Sequence, residues 1–227
     1  MTQKLSSITN KTVIVFDLDD TIYKEIEYLK SAYNEIAAKI APIISATTHD
    51  ISTDMIKLYE QGENVFEYLT REFDLPYSIT DLLNIYRKHI PQIDLTSNNK
   101  ELFEILRNRN IALGILTDGR TLTQKNKIKA LGLDKYVKEE DIIISEEFGY
   151  GKPSTKGYEY FMGKYPSAKF YYIGDNPKKD FIAPNLLRWT TIGLKDNGMN
   201  IHKQIETNNE YQPQIIIEEL NQILEYI

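Results

Sequence analysis

The chain has 227 residues, of which 41% are hydrophobic, and its 33 acidic and 27 basic side chains give a formal net charge of −6. It contains no Cys, which excludes disulfide scaffolds, thiolate metal sites and cysteine nucleophiles. The sequence has no stretch of 18 apolar residues, no apolar signal core near Met1 and no Lys/Arg-rich patch. We therefore expect a soluble, cytoplasmic protein that has neither a membrane nor a nucleic acid polymer as its partner.

The first informative segment is the apolar run at residues 13–16, which predicts a strand buried on both faces. It is followed at once by Asp17, Asp19, Asp20 and Thr21. Residues two apart on a strand project to the same side, so Asp17 and Asp19 can converge on one site, where a divalent cation would hold both carboxylates. The alternative is a polar turn that opens a helix, with Asp19, Asp20 or Thr21 as the N-cap.

A long insertion is expected after this strand end. The next strand-like run begins near Ile111, almost ninety residues later, which is far more than one crossover helix needs. Apolar residues recur with helical spacing in three segments of this stretch, the second of which is broken by Gly62: Ile26–Ile40, Ile51–Phe73 and Ile79–His89. We predict a helical cap over residues 24–98, and a core formed by residues 1–23 and 99–227.

The remaining elements alternate between strands and helices, which predicts a parallel sheet with helices on both faces. The predicted strands are Leu113–Leu116, Ile142–Ile144, Phe170–Ile173 and Thr190–Leu194. The predicted helices are Lys100–Arg109, Thr121–Leu131, Thr155–Lys164, Asp180–Trp189 and an amphipathic C-terminal helix over Gln214–Ile227.

Three later segments carry polar residues in the order that a phosphate site requires. Thr117, Asp118 and Gly119 follow the second strand, Lys152 precedes a helix, and Asp175 and Asp180 follow the fourth strand. Together with the first segment, this pattern resembles the haloacid dehalogenase (HAD) superfamily. The first motif of that family, Asp-x-Asp-x-Thr, matches Asp17, Asp19 and Thr21, and the second, a Thr or Ser, matches Thr117. The third motif, a Lys, matches Lys152, and the fourth, Gly-Asp-x-x-x-x-Asp, matches Asp175 with Asp180. The resemblance implies an α/β, Rossmann-like parallel sheet with an inserted α-helical cap.

The resemblance also implies a role for each carboxylate. Asp17 is the expected nucleophile, and Asp19 the general acid and base. A Mg²⁺ cofactor is expected to bind the carboxylates of Asp17 and Asp175 and the backbone carbonyl of Asp19, with Asp180 as a further or indirect ligand.

The phosphate itself is expected to contact the second and third motifs. The hydroxyl of Thr117 and the backbone N–H groups of Asp118 and Gly119 would bind phosphate oxygens. For Asp118, where the family frequently has Asn, we expect the backbone rather than the carboxylate to matter. Lys152 would balance the charge of Asp17 and the phosphoryl group, although a solvent-exposed Lys before a helix is the alternative for this residue taken alone.

We therefore predict a Mg²⁺-dependent phosphatase that acts on a small phosphate ester, either a sugar phosphate or a nucleotide, through an aspartyl-phosphate intermediate, as a monomer or weak homodimer. Two alternatives remain open: a sugar-phosphate mutase of the same superfamily, and a catalytically silent binding module on the same fold. The three histidines lack metal-ligand spacing and are expected on the surface or at helix caps: His49, His89 and His202.

Overall fold

The computed structural model describes residues 11–205 and 207–227. Its centre is a parallel sheet of six strands in the order β3-β2-β1-β4-β5-β6. The strands are β1 (Thr12–Phe16), β2 (Ala112–Thr117), β3 (Ile142–Ile144), β4 (Lys169–Gly174), β5 (Thr190–Leu194) and β6 (Ile215–Ile217). The fold is therefore the α/β, Rossmann-like class predicted from the sequence.

Helices cover both faces of the sheet and fill the insertion after β1. They are α1 (Glu25–Ile44), α2 (Thr48–Glu60), α3 (Val65–Glu72), α4 (Ile79–Lys88), α5 (Ser97–Asn108), α6 (Thr121–Ala130), α7 (Ser145–Phe148), α8 (Lys156–Lys164) and α9 (Ile182–Leu186). Within residues 11–205 and 207–227, none of them is long and apolar enough to cross a membrane.

Strand β1 lies at the centre of the core and positions the site. Its side chains alternate between two hydrophobic clusters, with Ile14 and Phe16 in one and Val13 and Val15 in the other. Because β1 pairs in parallel with both β2 and β4, the three strands end at the same edge of the sheet. Polar residues that follow these strands are thereby brought together, as open parallel sheets do at their ligand crevice.

Helices α1 to α4 share a third hydrophobic cluster, which contains Ile36, Met55 and Leu82. Gly62, with a φ of +77°, lies in the turn between α2 and α3, where the sequence predicts a break. A separate cluster of this kind supports the predicted division into a core and a cap, which remains a prediction. The segment between α4 and α5, which leads from the inserted helices back to the core, packs against the sheet, because its Ile93 and Leu95 belong to the same hydrophobic cluster as Phe16.

Two sequence predictions are wrong in detail. The predicted helix Gln214–Ile227 is instead strand β6 followed by a 3₁₀ helix at Leu220–Glu225. The β-branched run of β6 pairs with β5, and β5 would otherwise have an unpaired edge. The helix predicted over Asp180–Trp189 is only the short α9, which cannot continue through Arg188 because the backbone there is left-handed, with a φ of +60°.

Candidate active site

Three buried carboxylates meet at the carboxyl edge of the sheet. Asp17 directly follows β1, Asp175 directly follows β4, and Asp180 lies on the loop after β4. Each offers a carboxylate oxygen, and these oxygens lie within 4.8 Å of one another. The completely buried ammonium of Lys152 lies 2.8 Å from Asp17 Oδ1 and 2.7 Å from Asp180 Oδ1. The structure thus brings together four of the predicted site residues, and the exposed alternative for Lys152 is wrong.

The charges in this cluster are unbalanced. Burial, reinforced by neighbouring carboxylates, raises the pKa of Asp17 to about 6 and that of Asp175 to about 9. Burial alone would lower the pKa of Lys152, but Asp17 and Asp180 outweigh it and hold that pKa well above its ordinary value. Once all three carboxylates are ionised, as metal binding requires, the one ammonium leaves a formal charge of −2, which a divalent cation would neutralise. The donor set is also all oxygen, as Mg²⁺ prefers, so these residues fit the predicted cofactor.

Asp180 braces the cluster from within. Its Oδ2 accepts hydrogen bonds from the backbone N–H groups of Asp175, at 3.1 Å, and Asn176, at 2.8 Å. A Cβ at Gly174 would lie only 2.6 Å from the same oxygen, so only glycine allows this close approach. Asp180 therefore fixes the loop that carries Asp175 and also pairs with Lys152, while its predicted role as a metal ligand stays a prediction.

Asp19 lies in a different environment from Asp17. Its carboxylate accepts hydrogen bonds from Tyr23 Oη at 2.5 Å, Gln124 Nε2 at 2.8 Å and Lys127 Nζ at 2.7 Å. Burial alone would raise the pKa of Asp19, but the Lys127 ammonium and the three donors outweigh it and lower that pKa. Gln124 and Lys127 were not predicted from the sequence, because their burial one turn apart on α6 becomes evident only in the structure.

The second motif differs from expectation in two contacts. The hydroxyl of Thr117 accepts a hydrogen bond from Gln124 at 2.7 Å, and the N–H of Gly119, expected to be available for phosphate, donates to Ser145 Oγ at 3.0 Å. The carboxylate of Asp118 accepts the backbone N–H of Lys152 at 3.0 Å and lies 3.5 Å from Lys179 Nζ. The side chain of Asp118, and not only its backbone, thus helps to place the third motif.

A small cavity of about 110 Å³ opens onto the cluster and is lined by Asp17, Asp19, Thr117, Asp118 and Asp175. Side chains outside the predicted set also line it, among them Glu25, Lys179 and His202. Glu25 is the first residue of α1, and burial next to Asp19 raises its pKa to about 7.

The three histidines differ in their surroundings. His49 and His202 are exposed, as expected, and His202 also lines the cavity. His89 is the C-cap of α4, in agreement with the expected capping role, and its ring is buried against Tyr86 and Ser31.

Comparison with known proteins agrees with this geometry. The family model of haloacid dehalogenase-like hydrolases matches residues 14–193. The glyceraldehyde 3-phosphate phosphatase from Methanocaldococcus jannaschii is 27% identical to this chain, and the alignment covers 80% of this chain and 83% of that protein. The enzyme of the same name from Pyrococcus furiosus is 25% identical, and the alignment covers 95% of this chain and 92% of that protein. The magnesium-bound structure of the protein named HAD-hydrolase YfnB, from Bacillus subtilis, has a TM-score of 0.63 at 20% identity and covers 96% of this chain and 98% of its own.

The chain therefore belongs to the haloacid dehalogenase-like hydrolases. The predictions of the family, of the Rossmann-like fold and of an enzyme of the phosphatase kind are confirmed. Neither the mutase nor the silent binding module gains support from these relatives. The phosphatase relatives and the cluster of buried carboxylates together define the class of reaction, which is the hydrolysis of phosphate esters. We propose the cofactor, the mechanism and the substrate separately.

Proposed function

We propose that the protein is a Mg²⁺-dependent phosphatase of a small phosphorylated metabolite and that its preferred substrate is a three-carbon sugar phosphate. The reaction proceeds through an aspartyl phosphate on Asp17. The observation that carries this proposal is the buried Lys152, held between Asp17 and Asp180 beside Asp175. Such a paired charge cluster at the mouth of a cavity is expensive to bury and is typical of a functional site.

The size of the cavity supports a small substrate. Its volume of about 110 Å³ is well below the range of roughly 300–1,000 Å³ that is usual for drug-sized ligands. This favours a sugar phosphate over the nucleotide that the sequence left open. The relatives named glyceraldehyde 3-phosphate phosphatase support the same choice.

In the first step Asp17 attacks phosphorus and the ester oxygen leaves. Lys152 favours the ionised, nucleophilic form of Asp17, whose pKa burial raises to about 6. The Thr117 hydroxyl and the backbone N–H of Asp118 bind phosphate oxygens, and Gly119 joins them once its N–H leaves Ser145. The cluster in this way aligns the nucleophile with the phosphate before the bond forms.

Asp19 moves the protons of the reaction. It gives a proton to the leaving oxygen and, in the second step, takes one from the water that hydrolyses the aspartyl phosphate. Lys127 favours the ionised form of Asp19, which is the form that accepts a proton from water. The first step requires the protonated form, so the acid role requires the contact between Lys127 and Asp19 to loosen.

The Mg²⁺ would be held by the carboxylates of Asp17 and Asp175 and the backbone carbonyl of Asp19, with Asp180 as a brace. When bound, this cation supplies the positive charge that screens the nucleophile from the phosphate oxygens and neutralises the charge that develops on them. Lys152 provides the remaining positive charge inside the cluster.

A phosphate-release assay tests this function. The purified protein is incubated with triose, pentose and hexose phosphates and with nucleoside monophosphates, in Mg²⁺ or in excess EDTA. We expect release only with Mg²⁺ and fastest from a three-carbon ester, and no release by Asp17→Asn, whose amide keeps the shape but cannot attack phosphorus. Full activity in EDTA would contradict the metal site, and a preference for nucleotides would contradict the substrate class.

A further inference from the structure

Asn200 reaches the proposed metal site from a segment that follows β5. Its amide nitrogen donates a hydrogen bond to Asp175 Oδ2 at 2.8 Å, and its side chain is buried. None of the family motifs includes this residue, which lies 25 positions beyond Asp175. The contact is therefore a property of how residues 195–204 fold back over the carboxyl edge of the sheet.

The orientation of the Asn200 amide is fixed from its other end. Its carbonyl oxygen accepts a hydrogen bond from Lys24 Nζ at 2.6 Å. An ammonium can only donate, so the amide oxygen must face Lys24 and the NH₂ group must face Asp175. Lys24 therefore keeps the NH₂ group of Asn200 turned towards Asp175.

The segment itself is held in place by several contacts. Gln204 Nε2 donates to the backbone carbonyls of Asp175, at 2.6 Å, and Leu194, at 2.7 Å. The backbone N–H of Ile201 donates to Asp20 Oδ2 at 3.0 Å, and the Ile201 side chain packs on the cluster formed by α1 to α4. Because both ends are tied, Asn200 has little freedom to leave Asp175.

We propose that Asn200 is a positioning residue for Mg²⁺: it fixes the plane of the Asp175 carboxylate through Oδ2 and leaves Oδ1, to which the Thr21 hydroxyl donates a long hydrogen bond of 3.5 Å, to the cation. This inference rests on the proposed function, because it assumes that Asp175 is a metal ligand. Its physical basis is that a ligand pre-oriented by a hydrogen bond loses less conformational freedom on binding the ion. Lys24, the residue before α1, connects this arrangement to the start of the inserted helices.

A purely structural role is the competing explanation, since Asn200 also links two parts of the chain. The two explanations differ in what they predict for Mg²⁺ binding. A structural link would lower the melting temperature of the metal-free protein without changing its affinity for Mg²⁺. A positioning residue changes the affinity itself, and its loss typically weakens metal binding by about 10-fold to 100-fold.

The test is isothermal titration of Mg²⁺ into the full chain and into Asn200→Ala, with the melting temperature of each recorded with and without the ion. Asn197→Ala is the matched control, because this residue of the same segment is exposed and its Oδ1 accepts a hydrogen bond from the backbone N–H of Met199. We expect Asn200→Ala to bind Mg²⁺ at least about 10-fold more weakly than the wild type, and Asn197→Ala to bind it as the wild type does.

Unchanged Mg²⁺ affinity in Asn200→Ala would overturn the inference and leave the proposed function intact. A wild-type protein that binds no Mg²⁺ would overturn the proposed metal site and the inference with it. If circular dichroism shows that Asn200→Ala is unfolded, Lys24→Met replaces it, since it frees the amide to turn while keeping Asn200. We expect Lys24→Met to bind Mg²⁺ more weakly by a smaller factor, and wild-type affinity in that variant would overturn the inference.

Discussion

Asp17 and Asp19 stand two residues apart, yet their surroundings shift their pKa values in opposite directions. Burial, together with Asp180, raises the pKa of Asp17 to about 6. For Asp19 burial acts in the same sense, but Lys127 and two neutral donors outweigh it and the pKa is lowered. Above about pH 6 both carboxylates are therefore ionised, which suits Asp17 as a nucleophile and Asp19 as a base, whereas the acid role of Asp19 requires a proton that Lys127 disfavours.

The first prediction concerns the proton carried by Asp19. Asp19→Asn should reduce the rate on a sugar phosphate by a factor on the order of 10²–10⁴, because the leaving alkoxide no longer receives a proton. The loss should be smaller for p-nitrophenyl phosphate, whose leaving group departs without one. Steady-state kinetics on the two esters measures the difference. Equal losses on both would contradict the acid role.

A second residue-scale prediction concerns Lys127, which is buried and pairs with both Asp19 and Glu25. Lys127→Met keeps the length and the apolar stem but removes the charge that favours ionised Asp19. We expect kcat to change more than KM, and the leaving-group dependence to be opposite to that of Asp19→Asn, because loss of Lys127 favours the protonated, acid form of Asp19: a sugar phosphate should retain more of its rate than p-nitrophenyl phosphate. A uniform loss on all esters would indicate that Lys127 only stabilises the fold, which a parallel thermal melt would show.

At the scale of elements, the inserted helices complete the cavity that the core begins. Glu25 of α1 lines the cavity, while all four family motifs lie outside the insertion. Specificity for the leaving group is therefore expected to depend on residues of α1 to α4, and phosphate chemistry on residues of the core.

This division predicts the result of replacing residues 25–88 with a short flexible linker. The remaining core should still hydrolyse a small activated ester but should no longer discriminate among sugar phosphates. Because the excision exposes apolar surface, solubility and circular dichroism are checked first. A folded core with an unchanged ranking of substrates would show that specificity resides in the core.

Strong local patterns made much of the fold predictable. The apolar run of β1 and its polar end are unambiguous, and the length of the insertion and its helical spacing gave α1 to α4 to within a few residues. The C-terminal segment was wrong because the Ile run of β6 also fits a helical pattern, and only the free edge of β5 decides between the two.

The site was predictable only where motifs carry it. Asp17, Asp19, Lys152 and Asp175 stand at recognisable spacings and do meet in the structure. Gln124, Lys127, Asn200 and His202 come from segments that contain no motif, and their proximity to the site depends on tertiary packing. A single sequence does not show which polar residues of a helix or loop will face the cavity.

At the scale of the whole molecule, the buried charges link metal binding to stability. Unfolded aspartates have a pKa of about 3.9, whereas burial raises that of Asp175 to about 9 in the folded, metal-free chain. Between these values the folded state retains a proton that the unfolded chain has lost, so this group makes stability fall as pH rises. A cation that replaces the proton should reverse the loss.

The corresponding prediction is that Mg²⁺ raises the melting temperature more at about pH 8 than at about pH 6. At the lower pH the proton on Asp175 competes with the ion, and at the higher pH the competition weakens. Differential scanning calorimetry with and without Mg²⁺ measures the two shifts. Asp175→Asn should show a smaller shift with little dependence on pH, and equal shifts in the wild type would contradict the linkage.

The proposed mechanism requires Asp17 to become phosphorylated during turnover. Protein quenched during steady-state hydrolysis of a triose phosphate is reduced with borohydride, which converts an aspartyl phosphate into homoserine, and the peptides are examined by mass spectrometry. We expect homoserine at position 17 only when substrate and Mg²⁺ are both present. Phosphate release with an unmodified Asp17, or with the modification at another carboxylate, would contradict it.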